Sequence, residues 1–486
     1  MAENMMENRT KYDAVIIGFG KGGKTMAGAL GAAGKKVALI EKSDRMYGGT
    51  CINVGCIPTK SLVYRAGLAA AKGGSFEEKA AAYKAAMEQK EDLTTRLRGK
   101  NYQKLDSNPN ITVIDGTASF QSPHVVEVEK DGRTFQFERA VIANEAGRLM
   151  VYEKDGKTFQ VEGEQIFINT GSSAFIPPIE GLKGNPYVYT SEGLLNLTEL
   201  PSRLVIIGGG YIGVEFSSIY ASFGSKVTIL QDGDIFLPRE DEEIAGAVRE
   251  SLESRGIRVM TGVKVKALEQ AGGKALVAVD NGKEVQKLEA EAVLVATGRR
   301  PNTAGLNLEA AGVEIGPRGG IVTDDSLTTT APHIYAMGDV RGGLQFTYIS
   351  LDDFRIVKSK VLGDGSYTLK ERGAVPYSVF LIPPFSRVGL SEIEAVEKGY
   401  KVKVARLAAA AIPKAQVLEQ PAGLLKAVID EETGLILGAH LFCQESYEMI
   451  NMIKLAMDAK VPYQVLRDTI YTHPTMSEAF NDLFAV

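Results

Sequence analysis

Apolar and polar positions near the start of the chain follow a strand–loop–helix–strand pattern. Tyr12–Ile17 is a short apolar run, and a glycine-rich loop separates it from Lys24–Ala33, where apolar residues recur at helical spacing. Gly34 then closes the helix, and a second apolar run, Lys36–Ile40, follows it. The pattern predicts one βαβ unit of an α/β fold.

The same pattern occurs a second time. Arg203–Ile207 is an apolar run before another glycine loop, a helical pattern extends to about Phe223, and Lys226–Leu230 is the next predicted strand. Each unit later returns on a strand that ends in Thr-Gly, at Ile166–Gly171 and at Ala292–Gly298. One glycine loop is weak evidence in a chain with 52 glycines. Two copies in the same context predict two dinucleotide-binding units.

The three glycines of each loop have different physical roles. The first permits a tight turn, the second lets a pyrophosphate approach the backbone, and the third lets the helix pack closely on the strand. The helix that follows offers N–H donors and a positive dipole to the phosphates. These glycines are Gly18, Gly20 and Gly23 in the first loop, and Gly208, Gly210 and Gly213 in the second.

A ribose acceptor follows the second glycine of each loop by 21 residues. In the first unit it is Glu41, whose carboxylate can accept both hydroxyl protons of an adenosine ribose. In the second unit it is Gln231, which is neutral. Asp232 and Asp234 nearby would repel a 2′-phosphate, and no arginine precedes Arg239. The second site is therefore predicted to favour NADH, with NADPH left open.

Two cysteines follow the first unit. Cys51 and Cys56 are five residues apart, a separation of roughly 8.6 Å between Cα atoms in an ideal helix. Disulfides rarely span more than about 7 Å, so a bridge requires a distorted helix start, which Gly55 and Pro58 allow. A strained bridge is easily reduced, and a helix start lowers a thiol pKa. A catalytic redox disulfide is predicted; a pair of structural thiols is the alternative.

Composition excludes several classes of protein. A chain of 486 residues is long enough for about three domains, and 44% hydrophobic with 24% charged residues is ordinary globular usage. The net charge of −5 gives no basic field for nucleic acid or an anionic membrane. Met1–Thr10 is polar and does not resemble a signal peptide. With only three cysteines, we expect a reducing cytoplasm.

Five motifs resemble those of the class I pyridine nucleotide–disulfide oxidoreductases. They are residues 48–60 (GGTCINVGCIPTK), Gly208–Phe216, Ala296–Asn302, Thr330–Asp339 and Thr472–Glu478. The resemblance covers the chain from Tyr12 onward. It implies an α/β fold with two Rossmann-like domains, for FAD and NAD(P)H, and a C-terminal α+β dimerisation domain. The implied boundaries are 1–171 and 300–365 for FAD, 172–299 for NAD(P)H, and 366–486 for the interface of a homodimer.

The resemblance also implies roles for the redox residues. Cys56 would be the charge-transfer thiolate on the flavin, and Cys51 the interchange thiol that attacks the substrate. Lys60 and Glu215 would pair near flavin N5. Tyr211 would gate the nicotinamide pocket.

Further cofactor contacts follow from the same motifs. Asp339 would hold the ribityl chain, Thr347 would add a backbone contact beside the ring, and Thr117, in a strand predicted over Asp115–Phe120, would lie near the adenine. The remaining predicted contacts are Gly49 and Thr50 for FAD, and Ile212 and Gly298 for NAD(P)H.

His473 is the predicted acid–base residue. Thiol exchange needs a proton relay near neutral pH, which imidazole provides, and Glu478 could hold its second ring nitrogen. The resemblance implies that the second subunit supplies this motif. The other histidines, His124, His333 and His440, are interpreted as structural or solvent-facing.

Three segments resemble a subfamily, the reactive-chlorine-resistance flavoproteins, which reduce Cu(II). They are Ile57–Lys60, Gly342–Arg355 and Pro376–Pro384. The predicted function is NAD(P)H-dependent reduction of Cu(II) or a similar thiophilic metal in oxidative or reactive-chlorine stress. The alternatives are a dihydrolipoamide dehydrogenase or other small-disulfide reductase, a mercuric reductase-like enzyme, and a low-turnover redox sensor. No cysteine follows Glu478, whereas mercuric reductases carry a C-terminal thiol pair.

No resident metal site is predicted. Cys443 is interpreted as a small buried hydrophobe, with metal handling as the alternative. The methionines of the following helix are interpreted as core, with copper ligation as the alternative. Asp352 and Asp353 are interpreted as solvated or capping residues, with a metal entry path as the alternative. Turn signals within Val141–Val161 predict a β-hairpin excursion.

Overall fold

The structure is a computed structural model that describes residues 9–130 and 158–486. The hairpin predicted for Val141–Val161 and the polar start of the chain lie largely outside these residues. In the described part of the chain, no helix is long and apolar enough to cross a membrane.

Strands and helices alternate along much of the chain. The strands are β1 Arg9–Ile17, β2 Val37–Glu41, β3 Ile111–Asp115, β4 Thr117–Ser122, β5 Val125–Glu129, β6 Thr158–Ile168, β7 Ser172–Ala174, β8 Val188–Tyr189, β9 Arg203–Ile207, β10 Lys226–Leu230, β11 Arg258–Met260, β12 Lys264–Ala271, β13 Lys274–Asp280, β14 Val285–Ala290, β15 Ala292–Val295, β16 Arg299–Pro301, β17 Ile334–Ala336, β18 Tyr377–Val379, β19 Phe385–Gly389, β20 Val402–Ala408, β21 Leu424–Asp430 and β22 Ile436–Phe442. The helices are α1 Lys21–Ala32, α2 Gly49–Asn53, α3 Cys56–Lys72, α4 Phe76–Asp106, α5 Ser191–Leu194, α6 Tyr211–Ser222, α7 Glu242–Ser254, α8 Thr347–Leu362, α9 Glu392–Glu397, α10 Pro413–Val417, α11 Ser446–Asp458, α12 Tyr463–Asp468 and α13 Ala479–Leu483.

The chain divides into two compact units. The described residues of the first unit are 9–59, 89–130, 158–174 and 299–372; the second unit comprises 60–88, 175–298 and 373–486. The domain boundaries inferred from the motifs stay a prediction.

The first unit is built on a mixed sheet with strand order β3-β2-β1-β6-β5-β4, and β17 also pairs with β6. The β1–β2, β1–β6, β2–β3 and β6–β17 pairs are parallel. Successive residues of β1 pack into different hydrophobic clusters, Ala14 and Ile16 into one, Val15 and Ile17 into the other. Such burial of both faces explains why β1 is a continuous apolar run. The carboxyl ends of these strands point toward the first glycine loop.

The single strand predicted over Asp115–Phe120 is wrong. β3 ends at Asp115 and pairs parallel with β2, whereas β4 begins at Thr117 and pairs antiparallel with β5. Gly116 separates the two strands, and a Cβ there would lie 2.4 Å from Val128 Cγ1. The chain thus changes partner at a glycine that no larger residue could replace without displacing β5.

The second unit contains a second parallel sheet, β11-β10-β9-β15-β8, and an antiparallel five-stranded sheet, β18-β19-β22-β21-β20. β9 and β10 span the residues predicted for them, and α6 follows the second glycine loop. A smaller antiparallel sheet, β12-β13-β14, completes the unit. The predicted α/β class, with two Rossmann-like domains and a C-terminal α+β domain, is confirmed.

Candidate functional site

Two glycines of the first loop pack tightly against backbone oxygen atoms. Gly18 has φ +105°, and a Cβ on it would lie 2.4 Å from the carbonyl oxygen of Asn169. A Cβ on Gly23 would lie 2.2 Å from the oxygen of Gly18. Real Cβ atoms are not found at such distances, so both positions require glycine. The loop therefore passes directly over the end of β6 and into the N-terminus of α1, as the dinucleotide motif predicts.

Asn169, which was not predicted, connects this loop to two other segments by hydrogen bonds. Its Oδ1 accepts the Gly23 N–H at 2.9 Å, while its Nδ2 donates to the Met337 carbonyl at 2.6 Å and to Ser350 Oγ at 3.2 Å. Ser350 Oγ in turn accepts the Gly22 N–H at 3.0 Å. Asn169 directly precedes the Thr-Gly that ends the return strand, and this position is the signal that could have identified it.

The two predicted acidic ligands of the first unit are buried. Glu41 ends β2 and accepts the Phe19 N–H at 2.9 Å; burial raises the pKa of its carboxyl group. Asp339 accepts a hydrogen bond from Ser172 Oγ at 2.7 Å, and burial also raises its pKa. Thr117 lies at the start of β4 with an exposed side chain.

The second glycine loop repeats the first. Gly208 has φ +110°, with a hypothetical Cβ 2.4 Å from the Ala296 oxygen, and a Cβ on Gly213 would lie 2.1 Å from the Gly208 oxygen. Gln231 Oε1 accepts the Gly209 N–H at 2.9 Å. At Gly210, a Cβ would meet no heavy atom of the described residues within 4 Å. Ile212 follows in α6, and Gly298 has φ +116° after β15.

The two cysteines lie on two separate helices. Cys51 is in α2, which ends at Asn53, and Cys56 begins α3, so the helix is interrupted between them as the disulfide geometry predicts. Both are in the thiol form. Gly49 begins α2 with φ +75°, and a Cβ there would lie 2.6 Å from Gly20 Cα. α2, which also carries Thr50, therefore packs directly on the first glycine loop.

Two helix N-termini meet at Cys56. This residue begins α3, and its Sγ lies 3.4 Å from the hydroxyl of Thr347, the first residue of α8. Positive helix ends favour an anionic sulfur. The hydrogen bond with Cys56, followed by burial, raises the pKa of Cys51. The arrangement allows one thiolate and one protonated thiol to share a proton, which suits a dithiol poised for oxidation.

Lys60 and Glu215 form the predicted ion pair. Lys60 Nζ lies 2.8 Å from both carboxylate oxygens of Glu215, which is 8% exposed. The Phe380 N–H donates to Glu215 Oε1 at 2.8 Å, and its ring centroid is 4.7 Å from Lys60 Nζ. Phe380 belongs to the segment that distinguishes the subfamily, but its part in this pair was not anticipated.

The hydroxyl of Tyr211 is anchored. It donates to Glu240, and the Tyr377 hydroxyl donates to the same carboxylate at 2.8 Å. Arg387 Nη1 lies 3.6 Å from Glu240 Oε2. Burial, followed by the charge of Glu240, raises the pKa of both tyrosines, so both hydroxyls stay protonated donors. Glu240 and Tyr377 were not predicted.

His473 and Glu478 are paired as predicted. His473 Nδ1 lies 2.7 Å from Glu478 Oε2, and Glu478 Oε1 accepts the Thr475 N–H at 3.1 Å. Because a carboxylate only accepts, Nδ1 carries the proton and Nε2 is the basic nitrogen of the neutral ring. The hydrogen bond with His473 lowers the pKa of Glu478. The imidazole is 69% exposed, so Nε2 is accessible to a reacting group.

Asp352 and Asp353 were interpreted as solvated or capping residues, and this interpretation is wrong. Both are buried within α8, where Arg372 pairs with the two carboxylates. Asp353 also accepts the Gly338 N–H at 2.7 Å and pairs with Arg341. The buried charges are compensated, and Asp353 supports the turn that carries Asp339.

The remaining candidates have structural surroundings. Cys443 is fully buried, its Sγ is 3.8 Å from Met449 Sδ, and burial raises its pKa to about 12. His124 and His333 stack with centroids 3.9 Å apart, and burial lowers the pKa of His440 to about 4. Within residues 9–130 and 158–486, no group of three or more His, Cys, Asp or Glu side chains is arranged to hold a metal ion.

Comparison with known families gives a match over most of the chain. A profile described as pyridine nucleotide-disulphide oxidoreductase matches residues 12–353, and the dimerisation domain of that family matches residues 375–484. The chain belongs to this family. It is therefore a flavin-dependent pyridine nucleotide–disulfide oxidoreductase, and membership implies FAD and NAD(P)H as cofactors.

Individual relatives cover nearly the whole chain. The Escherichia coli K12 protein named probable pyridine nucleotide-disulfide oxidoreductase RclA is 47% identical over 98% of this chain and 99% of its own. Mercuric reductase of Bacillus cereus is 36% identical over 97% of this chain and 71% of its own. Dihydrolipoyl dehydrogenase of Mycobacterium tuberculosis is 31% identical over 98% of both chains.

A solved structure of one relative matches closely. It is described as the Cu(II) complex of the HOCl-induced flavoprotein disulfide reductase RclA from Escherichia coli, with a TM-score of 0.87, 47% identity, and coverage of 98% of this chain and 99% of that one. The resemblance to the family, and within it to the reactive-chlorine-resistance flavoproteins, is confirmed. The roles of the individual site residues stay predictions.

Proposed function

We propose that this enzyme uses NAD(P)H to reduce Cu(II), or a similar thiophilic metal ion, through the Cys51–Cys56 pair. The observation that carries the proposal is the placement of Cys56 where the N-termini of α3 and α8 meet. A thiolate stabilised there could donate electrons to copper, which is the proposed substrate and not a resident metal. The similarity to a relative solved as a Cu(II) complex supports this substrate, and the HOCl induction of that relative supports a role in reactive-chlorine stress.

The first glycine loop fits the pyrophosphate of FAD, because Gly18 and Gly23 let the backbone pass closely over the end of β6 and into the N-terminus of α1, as a dinucleotide site requires. Gly20, Gly49 and Thr50 would complete the phosphate side, and Glu41 would accept from the adenosine ribose. The residues proposed for the rest of the cofactor are Thr117 at the adenine, Asp339 at the ribityl chain, and Thr347, Lys60 and Glu215 beside the ring. When bound, FAD supplies electron transfer between the nicotinamide and the disulfide.

The second loop is the proposed NAD(P)H site. Gly208, Gly210 and Gly213 would admit the pyrophosphate, and Tyr211 would cover the nicotinamide pocket, held by Glu240. Gln231, beside two aspartates, would favour NADH. Ile212 and Gly298 would line the remainder of the site.

The proposed assembly is a cytoplasmic homodimer in which His473 serves the partner's cysteines. The chain carries the family's dimerisation domain. Apolar side chains in the same C-terminal region are exposed, with Ile470 at 98%, Leu455 at 70% and Val465 at 50%. Contact with a second copy would bury such side chains. The proposed interface domain spans 366–486, with 1–171 and 300–365 for FAD and 172–299 for NAD(P)H.

A second candidate function is reduction of lipoamide or another small disulfide. The His473–Glu478 pair favours it, since disulfide exchange must protonate a leaving thiolate whereas metal reduction need not. The mercuric reductase and dihydrolipoyl dehydrogenase relatives leave Hg(II) and lipoamide as further acceptors to be tested.

The deciding experiment measures anaerobic oxidation of NADH and NADPH with Cu(II), Hg(II), lipoamide and glutathione disulfide. We expect Cu(II) to be reduced fastest, and Cys56→Ser to lose this activity together with the thiolate–flavin charge-transfer absorbance while retaining FAD. Cys443→Ser, at a buried thiol remote in sequence, is the matched control and should retain activity. Faster turnover with lipoamide would establish the second candidate. Negligible turnover with every acceptor would indicate a redox sensor instead.

A further inference from the structure

A lysine lies beside the redox cysteines, and no carboxylate of the described residues pairs with it. Lys24 is in the first turn of α1, and its Nζ donates to Asn101 Oδ1 at 2.5 Å. Asn101 Nδ2 donates to the Leu97 carbonyl at 2.7 Å, which fixes the amide so that its oxygen faces Lys24. A Cβ on Gly48 would lie 3.5 Å from Asn101 Cγ, so this amide also adjoins the start of α2.

Close packing of α2 brings Cys51 near this ammonium group. A Cβ on Gly49 would lie 2.6 Å from Gly20 Cα, so the backbone of α2 rests on the loop that precedes α1. Lys24 follows that loop by one helical turn, and Cys51 follows Gly49 by two residues. The hydrogen bond with Cys56, burial and the charge of Cys56 cause the larger effect and raise the pKa of Cys51, whereas the hydrogen bond with Thr347 and the charge of Lys24 lower it.

The other charged groups that act on Lys24 are cations, and Cys51 is the acidic group that acts on it. Burial, and then the charge of Lys21, lower the pKa of Lys24 to about 8; Lys104 acts in the same direction, and Cys51 opposes them. In the described ranges of the chain, no carboxylate forms an ion pair with Lys24. A partly buried ammonium among cations is costly unless an anion forms beside it.

We propose that Lys24, held by Asn101, is a positioning residue that stabilises the thiolate of Cys51. This inference rests on the proposed function only in treating Cys51 as the sulfur that reacts with the acceptor. Two-electron reduction of the disulfide breaks the S–S bond and leaves both sulfurs anionic until a proton is taken up. The ammonium group opposes the rise in the pKa of Cys51, so a larger fraction of this thiol is ionised, and therefore nucleophilic, at a given pH than without Lys24.

The test measures the rate of Cys51 alkylation by iodoacetamide between pH 6 and 10, in the FAD-containing Cys56→Ser enzyme so that a single thiol titrates. Mass spectrometry of the Cys51 peptide follows the reaction. With Lys24→Met added, we expect the midpoint to rise by about one pH unit and the rate at pH 7 to fall about tenfold. Lys24→Arg should restore most of the rate. The difference should narrow above about pH 8, where Lys24 itself loses its proton.

Two further variants provide a second test and a control. Asn101→Asp places a carboxylate at the Lys24 acceptor, so it should neutralise the local field and raise the midpoint in the same direction. Lys100→Met removes an exposed charge from α4, the helix that carries Asn101, and should leave the midpoint unchanged. Equal midpoints with and without Lys24, or an equal shift from Lys100→Met, would overturn the proposal. Because alkylation involves no electron acceptor, failure of copper reduction would not affect this result.

Discussion

The two glycine loops have nearly the same backbone geometry but differ in the side chains that bind to them. In both, the first and third glycines approach backbone oxygens so closely that a Cβ would lie 2.1–2.4 Å away. The first loop is fastened by the side chain of Asn169, where the second has Ala296 at the corresponding place under Gly208. The first loop is therefore fixed by side-chain hydrogen bonds. The second is open, since Ala296 has no side-chain group that could form them.

This difference matches the proposed assignment of FAD to the first loop and NAD(P)H to the second. A cradle cross-linked to β17 and α8 through Asn169 suits a cofactor that stays bound through many turnovers. An open loop suits a nucleotide that must leave after each hydride transfer. In this assignment, the side chain at the end of the return strand distinguishes the loop proposed to retain its cofactor from the loop proposed to exchange it.

The largest expected effect comes from making the first loop resemble the second. Asn169→Ala leaves the buried Gly23 N–H and the Met337 carbonyl without their partner, at a cost of about 1–3 kcal/mol each. We expect a free energy of unfolding lower by about 2–5 kcal/mol and loss of FAD on gel filtration. Urea unfolding and the flavin absorbance ratio measure these.

Ser350→Ala is the companion variant, since it removes one bond to Asn169 and one to the Gly22 N–H but leaves the two stronger Asn169 bonds. It should cost less than Asn169→Ala. Retention of FAD and full stability in Asn169→Ala would show that the cradle does not depend on this side chain.

The middle glycines give a matched pair of intermediate effect. Gly20 (φ −64°, ψ −179°) and Gly210 (φ −78°, ψ −177°) have conformations that alanine adopts freely. A Cβ on Gly20 would lie 2.6 Å from Asn169 Oδ1, whereas at Gly210 it meets nothing within 4 Å among the described residues. Gly20→Ala should destabilise the protein by about 1–3 kcal/mol.

Gly210→Ala should instead leave thermal stability unchanged and raise the KM for NADH about tenfold, because the new methyl group occupies the space that a pyrophosphate needs. Differential scanning calorimetry and steady-state kinetics separate the two effects. Equal destabilisation by both substitutions would contradict the difference in free space between the two loops.

The sequence predicted the loops themselves but not their difference. Glycine spacing and strand pattern were enough for both βαβ units, because a turn this tight can be made in few ways. Asn169 was missed since its partners, Met337 and Ser350, are distant in sequence and no local pattern marks a hydrogen-bonding side chain. The strand predicted through Gly116 failed for a related reason: exchange of strand partners is a tertiary event.

The candidate site shows the same limit. Cys51, Cys56, His473 and Glu478 were predicted because thiols and imidazole carry recognisable chemistry. Lys24, Glu240 and Tyr377 form hydrogen bonds with residues that are distant in sequence. Nothing in the sequence alone distinguishes them from other lysine, glutamate and tyrosine residues. Asp353 was misassigned because its arginine partners could not be known without the fold.

The smallest expected effect concerns the ribose acceptors. Glu41 accepts the Phe19 N–H with a carboxylate, whereas Gln231 accepts the Gly209 N–H with an amide and donates from Nε2 to Asp232 Oδ1 at 3.3 Å. Gln231→Glu should raise the ratio of kcat/KM for NADH over NADPH about fivefold, equivalent to about 1 kcal/mol. The gain is limited because the new carboxylate loses the bond to Asp232 and is repelled by it. Gln231→Glu with Asp232→Asn removes that repulsion and should increase the ratio further, while an unchanged ratio in both variants would remove position 231 from nucleotide selection.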